Sequence, residues 1–204
     1  KGSQVLSRQR EPSLQSKVQQ MATTVQIDLE QFRGPMAVTV CYFAVYYAFM
    51  MLQLFTRSDA NDRGRNSKQD PGAVMGERTY LNMLEQMGPF LVALWSCAAF
   101  VDCTFATWFG SISVISRYCY PLLWGVKGQF TLLVEFSTQP YYFGVFSMLG
   151  AAGTWAFAGV NLVEAVPVWA QILFCFAYYV GFWAITFLLG QVVHQVTRSV
   201  YFEE

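Results

Sequence analysis

The sequence predicts an all-α polytopic membrane protein: a four-helix transmembrane bundle followed by a fifth membrane-spanning helix near the carboxyl terminus. The chain has 204 residues, of which 54% are hydrophobic and only 13% are charged. Soluble domains carry about 25% charged residues, so this chain has too few to cover a water-facing surface. Its apolar residues lie in runs of roughly 20, the length that a helix needs to cross a bilayer. Because these runs are continuous rather than alternating, they favour helices over a transmembrane β-barrel.

The first 33 residues are predicted to form a polar, basic tail. Residues 1–20 contain four basic residues and one acidic residue, with several Ser and Gln. They lack the apolar core of a secretory signal. Two interpretations remain, a remnant left after organellar import or a plain basic tail, and the composition together with a first residue other than Met favours the former.

Four apolar runs predict the helices of a membrane domain at residues 34–163. They contain at most one charged residue each, and they cover residues 36–55, 79–101, 103–126 and 136–163. A polar loop at residues 57–76, with four basic and three acidic residues, is predicted to be a solvated hairpin between the first two helices. The later connections are short, so consecutive helices are expected to pack as antiparallel neighbours.

The remaining segment, residues 164–204, predicts the additional carboxyl-terminal helix and a short tail. Glu164 and Pro167 interrupt the apolar pattern, and residues 168–193 then carry no charge. A run of this length is sufficient to span a bilayer.

Charge and cysteine content exclude several function classes. The formal net charge is zero, and no basic patch indicates nucleic-acid binding. The five cysteines are scattered through the apolar runs without a CxxC pair, which disfavours a zinc site, an iron–sulfur site or a disulfide framework. No metal site is therefore predicted.

A polar stripe enters the second span. Arg78, Asn82, Glu85 and Pro89 are separated by four, three and four residues, so they share one face of a helix. An ionised side chain at the bilayer centre costs about 2.5–3.5 kcal/mol on insertion scales, and such residues are functional candidates by default.

The third span carries a second stripe at the same spacing, formed by Ser113, Arg117, Tyr120 and Trp124. Pairing Glu85 with Arg117 or Arg78 would offset the cost of burying these charges. Two interpretations follow: a buried ion pair that locks the second and third helices in register, or a polar pocket for a charged ligand at the membrane interface.

Both stripes resemble the MAPEG family, the membrane-associated proteins of eicosanoid and glutathione metabolism. The segment "ERTYLNMLEQMGPFLVALW" resembles the second-helix signature of that family, through Arg78, Asn82, Glu85 and Pro89. The segment "FGSISVISRYCYPLLWG" resembles its third-helix pattern, through Gly110, Arg117, Tyr120 and Pro121. The resemblance covers roughly residues 36–159.

The resemblance implies a four-helix protomer that assembles as a homotrimer and binds glutathione between neighbouring protomers, near one membrane face. Arg78, Asn82 and Glu85 would hold the polar groups of the tripeptide. Arg117 and Tyr120 would complete the pocket, and Arg57 at the end of the first helix is a further candidate. Glutathione has two carboxylates and an ammonium, to which arginines, a carboxylate and an amide are complementary.

The chain departs from the catalytic members of the family that resemble leukotriene synthase. Those members use a Tyr and an Arg whose positions here hold Trp124 and Thr131. Lys127 is the candidate to replace the missing charge, although an ammonium does not reproduce the planar fork of a guanidinium. The resemblance thus implies glutathione binding more directly than catalytic turnover. The fifth helix is a second departure from the four-helix pattern of the family.

Two function classes remain open. The first is a membrane glutathione transferase or peroxidase that acts on hydrophobic electrophiles. The second is a non-catalytic accessory subunit of a large respiratory or photosynthetic complex, in which Glu85, Asn82 or His194 would ligate a pigment and lipids would be bound. The membrane is expected to be organellar: mitochondrial inner, thylakoid or endoplasmic reticulum. A transporter fits poorly, because the spans show no pair of broken helices in matching halves.

Overall fold

The structure is a computed structural model that describes residues 29–125 and 132–201. The chain divides into two units, residues 1–30 and residues 31–204, and only Leu29 and Glu30 of the first unit are described. Most of the predicted tail, together with Lys127 and Thr131, therefore lies outside the described residues.

Within the described ranges, the second unit contains five long helices and one short one and no strand. A 3₁₀ turn, Leu29–Phe32, leads into the first helix. The helices are α1 (Arg33–Asp62), α2 (Pro71–Phe100), α3 (Cys103–Gly125), α4 (Leu132–Ala158), α5 (Leu162–Ala165) and α6 (Val168–Tyr201). The predicted fold class, an all-α polytopic membrane protein, is confirmed.

Three helical segments in the described part of the chain are long and apolar enough to cross a membrane, at residues 29–62, 71–100 and 168–197. At 23 and 27 residues, α3 and α4 extend about 35 and 40 Å and also match a bilayer in length. Their Ser, Thr, Gly and Tyr residues lower their mean hydropathy. Because α3 and α4 are packed among other helices, these polar groups can form contacts with neighbouring helices. The contacts are those of α3 with α1, α2 and α4, and of α4 with α2, α3 and α6.

The connection between α1 and α2 is shorter and more ordered than the predicted loop at residues 57–76. Asp70 caps α2, because its Oδ1 accepts hydrogen bonds from the N–H groups of Gly72 (3.0 Å) and Ala73 (3.2 Å). Its Oδ2 lies 3.2 Å from Nη1 of Arg65. The Ala73 N–H and, secondarily, the Arg65 guanidinium hold the pKa of Asp70 below its usual value. This charged cap fixes the start of the helix that carries the polar stripe.

Two tyrosine hydroxyls attach α2 to its neighbours just before Pro89. The hydroxyl of Tyr42 on α1 donates to the carbonyl of Met83, and that of Tyr141 on α4 donates to the carbonyl of Gln86, each over 3.0 Å. The ring of Tyr42 also stacks on Phe90 at a centroid distance of 4.4 Å. These contacts set the register of α2 against the bundle.

The additional helix α6 lies against α4 on one side only. A Cβ added to Gly150 would come within 2.2 Å of the Tyr178 ring, so the glycine permits this close approach. The Tyr178 hydroxyl is hydrogen-bonded to Thr154, and the Tyr179 hydroxyl donates to Gln139. The opposite side of α6 exposes large apolar residues such as Trp169.

Candidate functional site

An open groove of about 400 Å³ lies between α2, α3 and α4. Its volume falls within the range of roughly 300–1,000 Å³ that is typical of small-molecule sites. Most of its lining side chains are polar or aromatic; they are Arg78, Leu81, Asn82, Glu85, Gln86, Tyr120, Trp124 and Tyr142.

The polar stripe of α2 forms one wall of this groove. Arg78 and Glu85 are exposed, and Asn82 is partly exposed. Within the described ranges, none of these three side chains makes an ion pair or a hydrogen bond to another side chain. Their charges and amide are therefore free to interact with a ligand.

The opposite wall comes from α3 and α4. Tyr120 and Trp124 of α3 are stacked with ring centroids 6.0 Å apart, and Tyr142 of α4 lies beside them. Trp124 thus lines the groove at the position where the family resemblance implies a tyrosine. Its indole can donate through N–H, but it cannot act as an acid or base.

Of the two interpretations of the stripes, the buried ion pair is not found, because among the described residues Glu85 pairs with neither Arg117 nor Arg78. Arg117 is only 1% exposed, and its guanidinium carbon lies 3.8 Å from the ring centroid of Tyr141. The rings of Tyr120 and Tyr142, at 5.9 and 5.8 Å, stand on the groove side of that cation. Glu85 is exposed on the α2 wall, so the tyrosines keep the two charges apart.

The burial of Arg117 is unusual because all three of its guanidinium nitrogens lack a hydrogen-bond partner among the described residues. An unsatisfied buried donor costs about 1–3 kcal/mol, more when it is charged. A desolvated cation–π contact returns about 2 kcal/mol, which offsets only part of that cost. The fold therefore keeps a cation behind the tyrosine wall at a net loss of stability, and this cation makes the potential of the groove more positive.

Arg57, the further candidate from the first helix, lies outside this groove. Its Nη2 is 3.1 Å from Oε1 of Glu77, and it borders a separate cavity of about 180 Å³ along α1. Glu77 thus neutralises Arg57 at the exposed ends of α1 and α2.

Sequence reasoning missed three groove residues, Leu81, Gln86 and Tyr142, and Leu81 is the apolar one among them. Gln86 follows Glu85 directly, and widening the helical face by one position would have included it. Tyr142 follows Gln139 by three residues and Glu135 by seven, so a polar stripe on the fourth helix was a signal that the sequence analysis did not use.

The pigment hypothesis gains no geometric support. His194 is exposed on α6 and does not line the groove. Within the described part of the chain, no group of three or more His, Cys, Asp or Glu side chains is arranged to hold a metal ion.

Comparison with known proteins bears on the groove directly. The model of the MAPEG family matches residues 35–132, which include most of α1, all of α2 and all of α3. This membrane protein belongs to the MAPEG family. No curated protein and no solved structure gave a significant match. The match includes both stripes, whereas Tyr142 and the whole of α6 lie beyond it, in the part of this MAPEG protein that the family model does not describe.

Proposed function

We propose that this MAPEG protein binds glutathione in the groove and is a membrane glutathione transferase or peroxidase acting on hydrophobic electrophiles. The observation that carries the proposal is the convergence of three unpaired polar side chains, Arg78, Asn82 and Glu85, on one open groove. Unpaired charges on a membrane helix are costly, and a charged ligand would repay that cost.

The charges of the groove complement those of glutathione. Arg78 offers a guanidinium that can bind a carboxylate through two parallel hydrogen bonds. Glu85 is suited to the ammonium group, and Asn82 can both donate and accept. Arg117 adds a positive potential from behind the wall, which favours a ligand with two carboxylates.

The length of the polar wall also agrees with a tripeptide. Gln86 is eight residues beyond Arg78, which corresponds to a rise of about 12 Å along the helix axis. Three extended residues span at most about 10–11 Å. A tripeptide lying along α2 would therefore contact both ends of the groove.

Assembly as a homotrimer is part of the proposal. The groove is open on one side, and a neighbouring protomer placed there would enclose a ligand that a single chain leaves in contact with solvent. Membership of the family supports this arrangement.

Isothermal titration of the detergent-solubilised protein tests glutathione binding. Arg78→Leu and Glu85→Gln are each expected to weaken the affinity about tenfold to a hundredfold, because each removes a charge-assisted hydrogen bond of about 1.5–3 kcal/mol. Glu77→Gln is the matched control, since this carboxylate is on the same helix but pairs with Arg57 outside the groove. Absence of binding by the wild-type protein at millimolar glutathione would refute the proposal.

A second candidate function, an accessory subunit of a larger membrane complex, is favoured by one observation. Along most of α6, large apolar side chains such as Phe187 (65% exposed) face away from the bundle. Native electrophoresis of mildly solubilised membranes distinguishes the two candidates. We expect a particle of the size of a trimer; migration with foreign subunits, together with no glutathione binding, would establish the accessory role instead.

A further inference from the structure

Tyr142 connects the groove to the additional helix. Its ring lines the groove on one side, and its other side meets the edge of Trp183 from α6, with centroids 5.3 Å apart and planes at 76°. Phe146, one turn further along α4, stacks on Tyr142 at 5.5 Å and on Phe182 of α6 at 5.0 Å. The ring of Tyr142 is therefore held by aromatic contacts, one of which is made by Trp183 of α6, while α6 also contacts the stacked Phe146.

The hydroxyl of Tyr142 is free while its ring is fixed. Among the described residues, it forms no hydrogen bond, in contrast to the adjacent Tyr141, whose hydroxyl donates to the carbonyl of Gln86. Tyr142 is half-buried on an open groove, so its fixed ring holds a hydroxyl that is available to donate to a ligand in the groove.

The position of Tyr142 along the groove follows from the contacts between α2 and α4. Tyr141 is bonded to Gln86, and Asn161 Nδ2 donates to the carbonyl of Val101 over 3.0 Å, so the two helices run in the same direction. Tyr142 is thus level with Gln86, about 12 Å from Arg78 along the axis of α2. Arg78 lies near the charged loop between α1 and α2, and Tyr142 lies deeper along the groove, beside Glu85 and Gln86.

We infer that Tyr142 donates a hydrogen bond to the sulfur of bound glutathione, and that Trp183 of α6 is the residue that positions it. This inference rests on the glutathione-binding function proposed above. Arg78 and Glu85 would take charged groups at the two ends of the tripeptide, which leaves the thiol of the central cysteine to face the opposite wall of the groove, where Tyr142 lies. A hydrophobic electrophile dissolved in the bilayer would reach the sulfur from the side of the groove that lies deeper in the membrane.

The nucleophile in glutathione transfer is the thiolate, and a hydrogen-bond donor beside the sulfur favours the thiolate over the thiol. On ionisation, the thiol S–H bond breaks, its electron pair remains on sulfur, and the proton passes to water in the open groove. The phenol of Tyr142 then donates its O–H to the sulfur anion. Trp124, at the position where the family resemblance implies a tyrosine, has no hydroxyl to make this bond. The Arg117 cation, 5.8 Å from the Tyr142 ring, further favours the negative charge.

Thiolate absorbance in the ultraviolet, measured on the full-length protein with bound glutathione, tests the role of the hydroxyl. Tyr142→Phe keeps the ring and its contacts with Trp183 and Phe146 but removes the O–H. The ratio of thiolate to thiol in bound glutathione is expected to fall about tenfold, in line with the loss of one hydrogen bond to a charged group. Binding of S-methylglutathione, whose thioether is a weak acceptor, is expected to stay within twofold of wild type.

The positioning role of Trp183 has its own variants. Trp183→Ala is expected to lower the same thiolate-to-thiol ratio severalfold, because it frees the Tyr142 ring, and Trp183→Phe is expected to restore most of it. Trp169→Ala is the control, since Trp169 is 68% exposed on the same helix. An equal effect of Trp169→Ala would show that α6 acts only through general stability, and would overturn the assignment of Trp183.

The outcomes separate this inference from the proposed function. If the wild-type protein binds neither ligand, both fail. If it binds glutathione but shows no thiolate absorbance, or shows thiolate absorbance that Tyr142→Phe does not reduce, the role of Tyr142 is overturned while binding stands. Equal weakening of both ligands by Tyr142→Phe would also overturn it, because the effect would then not involve the sulfur.

Discussion

Gly144→Ala is expected to lower the melting temperature of the protein by roughly 5–10 °C. A Cβ added to Gly144 of α4 would lie 2.2 Å from Oγ of Ser113 and 2.7 Å from the carbonyl oxygen of Phe109, both on α3. The second of these atoms is backbone and cannot rotate away, so the two helices would have to separate. Overpacking of this kind costs about 1–3 kcal/mol, and in a chain of this size each kcal/mol shifts the melting temperature by about 2–4 °C.

Thermal denaturation in detergent, followed by circular dichroism, measures this effect. Gly153→Ala is the matched control on the same helix, because no atom lies within 4 Å of a Cβ added there. Its melting temperature is expected to equal or exceed that of wild type, since alanine is the better helix former by up to about 1 kcal/mol. Equal melting temperatures for the two variants would contradict the close contact between α3 and α4.

The helices and one wall of the groove were predictable from sequence because both depend on local periodicity. Spacings of three and four residues place Arg78, Asn82 and Glu85 on one helical face, and the structure finds that face lining the groove. Apolar runs likewise predicted the helices, because a helix in lipid satisfies its own backbone hydrogen bonds.

The pairing across the groove was not predictable in this way. Whether Arg117 meets Glu85 or a tyrosine depends on the rotation of α3 about its axis and on its register against α4. That register is set by the contact of Gly144 with α3 and by the hydrogen bond of 3.3 Å from Ser113 to the carbonyl of Tyr141. No pattern within a single helix encodes such contacts between helices.

The contribution of α6 to the groove was missed for a related reason. Its sequence reads as a uniformly apolar span, and most of its surface is exposed. Only the structure shows that Trp183, at one position on that span, touches a groove residue of α4. An added helix outside the matched family segment can therefore affect the site without supplying a polar group to it.

Arg117→Met is expected to weaken glutathione binding while leaving the protein as stable as wild type or more stable. At an effective dielectric constant of about 20, two unit charges roughly 8 Å apart interact by about 2 kcal/mol, which corresponds to about a thirtyfold change in affinity. The same substitution removes a 1% exposed guanidinium that has no hydrogen-bond partner among the described residues. Exchanging buried charged groups for apolar side chains of similar volume is often neutral or stabilising.

Titration calorimetry and thermal denaturation of the same preparation measure both effects. Arg57→Met is the control, because Arg57 is exposed and pairs with Glu77 outside the groove; its affinity for glutathione is expected to match wild type. Arg117→Lys keeps the charge but not the planar group that lies over Tyr141, so its affinity is expected to be intermediate. Loss of stability in Arg117→Met with unchanged affinity would mean that the buried cation serves the fold. The opposite result would show that stability is given up at this position for the electrostatic potential of the groove.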